Sequence, residues 1–485
     1  MTRLRASRFR LRASGASAGQ VGGQVHSRAA LPGGQVIEVE IEALDAGGDG
    51  VATAGGLSIT VPFTIPGERV RVHVADHRRR PLAATLVEIL RASPHRVSPT
   101  CRHFGIDAAS GPCGGCTWQH IAYPEQLRLK TALVDRLIRA IVPGAPQTQP
   151  MLTGTPVDHP WSYRNKVHFV FGSRGSTLTM GHYVRGTRKV IPVVECPVHD
   201  ARGNAFAFAA RDVFTAAGLQ AANGERGTLR SLAVRAGCHT RELMATLIVS
   251  NDRDRRVRSA TRRLLDETPP TSMHLNVHAR ADAFIFGPST RHLHGSSRMR
   301  EEVAGASFLM SPAAFFQTNV LAAAILVRLV LDAAPPVSRV LDLYAGSGLF
   351  AIPLAAAGHD VVAVEENRLA VADGEAALKL NGAAQRRCRF VARRVEAALA
   401  SLPSADVVVL DPPREGCSPA VLNGVFGRLR PATAIYVSCN PETLASDLGS
   451  ICEAGYQIAS VQPVDMFPHT AHIETVVILQ SARTC

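Results

Sequence analysis

No stretch of this chain approaches the ~18 uninterrupted apolar residues that a spanning helix needs, so membrane insertion is not expected. No secretory signal is expected ahead of the ten cysteines either, which turns them from a disulfide framework towards metal binding or catalysis. Internal repeats are absent. Acidic residues are missing from positions 1–34, which carry six Arg among Ser, Gly and Ala; with few, scattered large apolar residues, this segment is expected to be a disordered basic extension. Surplus positive charge is missing beyond residue 305. Residues 306–485 hold 13 Lys and Arg against 16 Asp and Glu, a net of −3, which leaves residues 1–305 with 40 against 24, a net of +16. A polyanion held by the first part of the chain accounts for that asymmetry, although Arg spread over any wet surface would also do so.

The 485 residues exceed what one core supports, since single cores stop growing at roughly 250–300 residues, so two or three domains are expected. Residues 35–91 read as short strands in a small β-barrel. Ile37, Val39 and Ile41 alternate, Ser58–Phe63 and Val70–Val74 follow, and Thr85–Leu90 ends the set, with Gly-rich turns between them. Barrels of this size commonly bind oligonucleotides. Residues 92–305 read as an α+β central domain. It holds a Cys- and Gly-bearing loop, an amphipathic helix over 124–142 that is expected to pack on the last domain, and strands near Val167–Phe171, Thr228–Val234 and Met244–Val249. From residue 306 strands and helices alternate in the α/β pattern of a doubly wound sheet.

Three loops of that last domain carry chemistry. Asp342-Leu-Tyr344-Ala-Gly346-Ser-Gly348 lies between a predicted strand and a predicted helix, and Glu365 stands 19 residues beyond Gly346, where a carboxylate can accept both hydroxyls of a ribose. The loop lacks the Lys that cradles phosphates in nucleotide hydrolases. Taken alone it fits S-adenosylmethionine (SAM) and a nicotinamide dinucleotide about equally. Asp411-Pro-Pro-Arg414 and Ser438-Cys439-Asn-Pro441 each follow the carboxyl end of a predicted strand. His469-Thr-Ala-His472-Ile-Glu474 runs into the last strand. A positioned thiol with a carboxylate suits methylation at carbon 5 of uracil. The thiolate adds to carbon 6, carbon 5 becomes nucleophilic, and a base then removes the carbon-5 proton. A buried strand-end cysteine and a solvated carboxylate are the bland alternatives for Cys439 and Glu474.

Phe315-Phe316-Gln317-x-Asn319, Asp342-Leu-Tyr344, Asp411-Pro-Pro-Arg414, Ser438-Cys439-Asn-Pro441 and Asp465-Met-Phe-Pro-His-Thr-x-His-x-Glu474 closely resemble the bacterial RNA 5-methyluridine methyltransferases, in that family's order. Tyr163-Arg-Asn-Lys-Val-His-Phe169 resembles its central-domain signature, and Pro62-Phe-Thr-Ile-Pro-Gly-Glu68 its N-terminal TRAM barrel. The resemblance implies Cys439 as nucleophile, Glu474 as proton acceptor, and Gln317, Tyr344, Glu365 and Asp411 as SAM contacts, while Gly346 and Gly348 are the cofactor-binding glycines that let the backbone approach the ligand closely. The chain departs from the family at Ala345 and Leu349, where Cys and Asn are usual, and at Arg394, where Asn is.

Cys101, Cys113, Cys116 and Cys196 make four thiolates, the ligand count of a [4Fe–4S] cluster or a structural zinc, and spacing alone does not separate the two. The resemblance favours the cluster in a structural role. The ribosomal branch (23S ribosomal RNA) is preferred to transfer RNA as substrate, and a cytoplasmic monomer is expected. The rival readings are a cytosine-directed enzyme, an NAD-dependent oxidoreductase and a catalytically dead RNA-binding factor. The run His77-Arg-Arg-Arg80 is either an RNA contact or a wet loop. The charges of 252–263 read as the solvent face of a helix, and His469 and His472 as base contacts or turn formers.

Overall fold

The computed structural model describes residues 34–76, 81–106, 108, 111–175, 177–224, 226–280 and 284–482. Residues 1–33 and 77–80, including the His77–Arg80 run, lie outside the described residues.

The first body is a six-stranded sheet in the order β1-β5-β6-β4-β3-β2, built from β1 (Val36–Glu40), β2 (Ala43–Leu44), β3 (Gly50–Ala54), β4 (Leu57–Val61), β5 (Arg69–Asp76) and β6 (Leu82–Arg91). In β5 the sequence alternates so that Val70, Val72 and Val74 are fully buried while Arg69 and Arg71 face outwards to Glu38 and Glu88. This period of two makes one face of the sheet apolar, and it curls around Ile59, Val61 and Leu82. Buried Glu68 fastens the sheet to the segment beyond β6, accepting from the amides of Ile65 and Ser93 at 2.9 and 3.1 Å and pairing with Arg96 at 2.6 Å. The short strands β2 and β3 escape a sequence reading because Gly and Ala leave no apolar alternation there.

Helix α1 (Tyr123–Ile141) and the two-residue strand β7 (Leu152–Thr153) come next. The central sheet runs β10-β9-β8-β11-β12-β13-β14, with β8 (Lys166–Arg174), β9 (Thr177–Tyr183), β10 (Val190–Pro192), β11 (Leu229–Ala236), β12 (Leu243–Val249), β13 (Ser272–Val277) and β14 (Ser289–Gly295). Helices α2 (Ala201–Ala216) and α3 (Arg255–Glu267) supply Phe206, Phe214, Val257 and Leu264 to one face, packed on Phe169, Leu232, Val234 and Leu247. The expected wet helix over 252–263 is α3.

A hairpin, β15 (Met299–Val303) with β16 (Ala306–Met310), places Met299, Val303, Phe308 and Met310 in the core of the last body. The division expected at 305/306 therefore cuts this hairpin at its turn. The last body adds α4 (Val320–Ala333), β17 (Arg339–Leu343), α5 (Ala351–Ala356), β18 (Asp360–Glu365), α6 (Arg368–Leu378), α7 (Gly382–Gln385), β19 (Cys388–Ala392), α8 (Val395–Ala398), β20 (Val407–Leu410), α9 (Pro419–Leu422), β21 (Thr433–Ser438), α10 (Pro441–Glu453), β22 (Tyr456–Asp465) and β23 (Glu474–Ser481). Its sheet runs β19-β18-β17-β20-β21-β23-β22-β7. Strands β17 to β21 are parallel, and the inner strands β20 and β21 are buried throughout and almost wholly apolar, as burial on both faces requires. This is the doubly wound α/β fold expected from the sequence. The order crosses over between β17 and β20, and open sheets of this kind bind ligands at the carboxyl ends of such strands. Two segments from far upstream join this body: β7 pairs with β22, and α1 buries Leu133, Val134 and Ile138 against Leu444, Leu448 and Ile451 of α10. Among the described residues no helix is long and apolar enough to cross a membrane.

Candidate active site and cysteine cluster

At the end of β17 the backbone turns through three left-handed residues, Tyr344, Gly346 and Gly348. A Cβ at Gly348 would stand 2.8 Å from the Phe390 ring, whereas nothing lies within 4 Å of one at Gly346. Gly348 is therefore there for packing, and Gly346 for an open approach to the backbone. The Gly346 amide donates to Glu365 at 2.9 Å, and the Asn367 amide donates to the other oxygen of the same carboxylate at 2.7 Å. Asp342 is fully buried, and of its surroundings only the Ala351 backbone amide favours its charge. Burial, with Asp411 and Glu365 beside it, holds Asp342 well above the usual carboxylate range, and burial pushes Asp411 up to about 7.

Three carboxyl groups thus crowd one loop. A pyrophosphate would add negative charge to this crowd, whereas a sulfonium with ribose hydroxyls would relieve it, so the loop that the sequence left open fits SAM. Gln317 is buried, and its backbone is fixed from the central domain. Asn165 donates through its side chain to the Gln317 carbonyl at 3.4 Å and through its amide to that of Thr318 at 2.7 Å. Tyr344 is half-buried, and burial followed by Cys417 raises its hydroxyl pKa.

Cys439 follows β21 directly. Ser438 Oγ donates to the Asn440 carbonyl at 3.0 Å and accepts from the Asn440 amide at 3.2 Å. Asn440 caps α10 by accepting from the Glu442 amide at 3.1 Å, with Pro441 in the first turn. The thiol therefore sits just before a helix N-terminus, where a thiolate is favoured. The Asn440 and Thr443 side chains both donate to the Arg414 carbonyl, at 3.0 and 3.1 Å, tying the two motif loops together.

Strand β23 runs antiparallel to β21 with Ser438 opposite Thr475. The ladder ends there, and Cys439 and Glu474 are the next residues beyond it, close enough for the Glu474 charge to act on the thiol. Because β23 opposes the parallel strands, its first residue lies at their carboxyl ends, inside the ligand crevice. Burial and the Glu474 carboxylate push the Cys439 thiol up to about 11, against the pull of Arg414. Glu474 is buried, and burial with Asp411 raises its carboxyl well above the usual range, Arg414 again opposing. Arg414 is the cation that both groups share; the sequence placed it in a motif without a role.

His469 shapes the turn. It has φ +64° and stacks on Trp161 at 3.9 Å between centroids. Its Nδ1 lies 3.2 Å from Gln126 Nε2, and its carbonyl accepts from the amides of Thr117 and Trp118 at 2.9 Å each. His472 instead lies beside Arg414, 3.4 Å from its guanidinium. Lys130 and Asp465 form a fully buried ion pair at 2.7 Å beneath this turn, and Lys130 also donates to the Phe467 carbonyl at 3.1 Å. Neither Gln126 nor Lys130 carried a sequence signal, since each reads as a polar position on an amphipathic helix.

Cys101 and Cys116 pack against the core of the first sheet, Cys113 against that of the central sheet, and Cys196 against both. Their thiols are close enough to raise one another: Cys113 responds to burial and then to Cys116 and Cys101, and Cys196 to burial and then to Cys116 and Cys113. Among the described residues, however, no three ligand-type side chains close around one point as a bound ion requires. The chemistry of the surroundings still suits an anionic centre. Arg164 of the Tyr-Arg-Asn-Lys motif is half-buried beside these cysteines, and its Nε has no partner among the described residues. Although burial opposes its charge, Tyr163, Cys116, Cys196 and Cys113 raise its pKa.

The family model described as tRNA (Uracil-5-)-methyltransferase matches residues 237–482. The model of the TRAM domain of tRNA (uracil(54)-C(5))-methyltransferase matches residues 37–95. The chain is 35% identical to an RNA methyltransferase of Gloeobacter violaceus over 93% of this chain and 98% of that protein. It is 31% identical to one of Caldanaerobacter subterraneus over 92% and 98%. Among solved structures, the Pyrococcus abyssi tRNA (uracil-54, C5)-methyltransferase in complex with S-adenosyl-L-homocysteine superposes with a TM-score of 0.74 and 25% identity, covering 91% of this chain and 100% of that one.

Proposed function

The chain belongs to the SAM-dependent RNA (uracil-5-)-methyltransferase family, and from that premise we propose that Cys439 and Glu474 form 5-methyluridine in 23S ribosomal RNA. The observation that carries the catalytic assignment is that β21 and β23 pair as far as Ser438 and Thr475, which leaves Cys439 and Glu474 close together just beyond the ladder at the carboxyl edge of the sheet. SAM, when bound over the Gly346 loop by Gln317, Tyr344, Glu365 and Asp411, supplies an electrophilic methyl group to carbon 5. The Cys439 thiolate adds to carbon 6 of the extruded uracil, and the electron pair of the carbon 5–carbon 6 double bond moves towards carbon 5 and oxygen 4. Glu474 then takes the proton from methylated carbon 5, the double bond re-forms, and the Cys439 sulfur leaves. While Cys439 is a thiolate, its charge disfavours a second charge on Glu474. Once the sulfur is bonded to carbon 6 that repulsion is gone, and Arg414 remains to stabilise the carboxylate. The carboxyl thus becomes a base at the step that needs one. The exposed ring of Phe315, two residues before Gln317, offers a stacking surface for the uracil.

Residues 35–91 and 92–305 grip the RNA in this reading, which the +16 charge of residues 1–305 supports, and residues 306–485 carry the chemistry. The protein acts as a cytoplasmic monomer, where its substrate is. The pairing of barrel and cysteine set supports the ribosomal substrate. A transfer-RNA substrate is the second reading, favoured by the P. abyssi likeness. Incubating the protein and methyl-labelled SAM with ribosomal and transfer RNA from cells lacking the gene decides between them. Label in 5-methyluridine of one class names the substrate, label in another nucleoside overturns the base assignment, and no label favours a non-catalytic RNA-binding factor. Glu474→Gln is expected to stall after methyl transfer, leaving protein covalently attached to RNA through Cys439. A gel-resolved, denaturant-resistant adduct that Cys439→Ala abolishes checks this, and product formation at the wild-type rate would remove Glu474 from the mechanism.

Cys101, Cys113, Cys116 and Cys196 are proposed to hold a [4Fe–4S] cluster, with Arg164 as its half-buried counter-charge, joining the cores of the barrel and the central sheet. Protein purified without oxygen is expected to contain iron and sulfide in the cluster's ratio, and Cys113→Ser with Cys116→Ser to contain neither. Zinc in their place would reassign the site to a structural zinc.

A further inference from the structure

The central sheet has one face packed by α2 and α3, and its other face mixes polar and apolar side chains, covered at Arg235 by Met310 and Ala314. Along β8 the core-facing Val167, Phe169 and Phe171 alternate with Lys166, His168 and Val170, and the neighbouring strand sets Arg235, Ala233 and Ser231 beside those three. On this second face opens a cleft of about 580 Å³, lined by His168, Tyr183, Arg188, Arg230, His278 and Phe284 among others. That volume lies in the range of small-ligand sites. Among its described lining residues there are two arginines, two histidines and two partly exposed aromatic rings, but no carboxylate. Arg230 is held at the cleft by a hydrogen bond that its guanidinium donates to the Ala279 carbonyl at 3.0 Å. Just beyond the cleft, Lys166 lies over the Phe286 ring at 5.4 Å, and burial followed by Arg235 lowers its pKa to about 7. An anion with a flat ring matches these groups; a purely apolar ligand or a cation does not.

We propose that this cleft binds a second nucleotide of the substrate RNA, unstacked from the same strand as the methylated uridine, with its base against Tyr183 or Phe284 and its phosphate at Arg188 and Arg230. The inference rests on the RNA reading above. Strand β8 gives it a place. Asn165, immediately before β8, bonds to the backbone at Gln317 and Thr318, and His168 stands three residues along the strand, about 10 Å away. The cleft is therefore within a few nucleotides of the catalytic crevice. Aromatic stacking with a nearby cation is the usual way a protein holds a single-stranded nucleotide.

Arg188 and Phe284 are exposed and belong to no core cluster, so Arg188→Ala and Phe284→Ala test the site without threatening the fold. Each is expected to raise the KM for RNA about tenfold and leave kcat at saturating RNA unchanged, because the catalytic loops are untouched. Arg188→Ala is also expected to flatten the dependence of RNA affinity on salt, as the loss of one phosphate contact requires. The Kd of the protein for a fluorescent ten-nucleotide single-stranded RNA is measured alongside, with and without millimolar AMP. Unchanged KM, Kd and salt slope in both variants would overturn the proposal. AMP binding in the cleft as tightly as the RNA oligomer would overturn it too, in favour of a free-nucleotide site. If the wild type methylates no RNA, the functional reading fails, while the oligomer Kd still reports on the cleft.

Discussion

Cys439→Ala is expected to lower 5-methyluridine formation on the order of 10⁶-fold, the scale on which loss of a nucleophile is felt in other enzymes. Cys417 is buried behind the loop, its amide donating to Asp447 at 2.8 Å, and burial pushes its thiol up to about 12. RNA affinity and melting temperature should stay near wild type, since Cys439 is half-exposed and belongs to no core cluster. The wild-type rate should carry a signature of the same thiol. With Cys439 held near 11, its reactive thiolate is scarce at neutral pH, and the fraction grows about tenfold per pH unit below that value. Alkylation of Cys439 by iodoacetamide in the free protein should therefore rise steeply from pH 7 to 9, not level off near pH 7. Arg414→Ala should suppress it further, because the guanidinium favours the thiolate. Residual methylation within tenfold of wild type in Cys439→Ala would sink the assignment.

Lys130→Met is expected to destabilise the protein by roughly 3–5 kcal/mol, the usual consequence of leaving half of a buried ion pair. Lys130 and Asp465 are both 0% exposed, and removing the cation strands the Asp465 carboxylate with only the Tyr123 hydroxyl at 2.8 Å and the Phe467 amide at 3.2 Å. At about 2–4 °C per kcal/mol the melting temperature should fall on the order of 10 °C. Replacing both partners with apolar residues, Lys130→Met with Asp465→Leu, should recover much of the loss, because no charge is then left buried. Activity should fall more than folding in the single variant, since Lys130 also holds the Phe467 carbonyl at the head of the turn that delivers Glu474. A Lys130→Met protein that melts within a degree or two of wild type would show that the pair carries no such weight.

The motif chemistry was legible in the chain because it is local. Asp342, Gly346, Gly348 and Glu365 are fixed by one strand–loop–helix unit and the strand after it, and Asp411 and Cys439 each directly follow an apolar strand whose composition announces it. The parallel α/β pattern, helix α1 and the charge division between the two parts of the chain were legible for the same reason. Strand β22 was not, because Tyr456-Gln-Ile-Ala-Ser interrupts its apolar run before Val461. Nor was β15, the first strand of the hairpin, assigned to the last body, since its alternation shows that one face is buried but not against what.

What the tertiary structure alone decided is which groups meet. The sequence supplied a thiol and a carboxylate 35 positions apart; the antiparallel insertion of β23 beside β21 made them neighbours. It supplied Lys130 on a helix and Asp465 at a strand end, and the docking of α1 brought them together across 335 residues. The residues of a motif are held by bonds along the backbone, and so their spacing can be read directly. The partners of a strand edge or a helix face are chosen by the apolar area that pairing removes from water, which depends on every other surface competing for it.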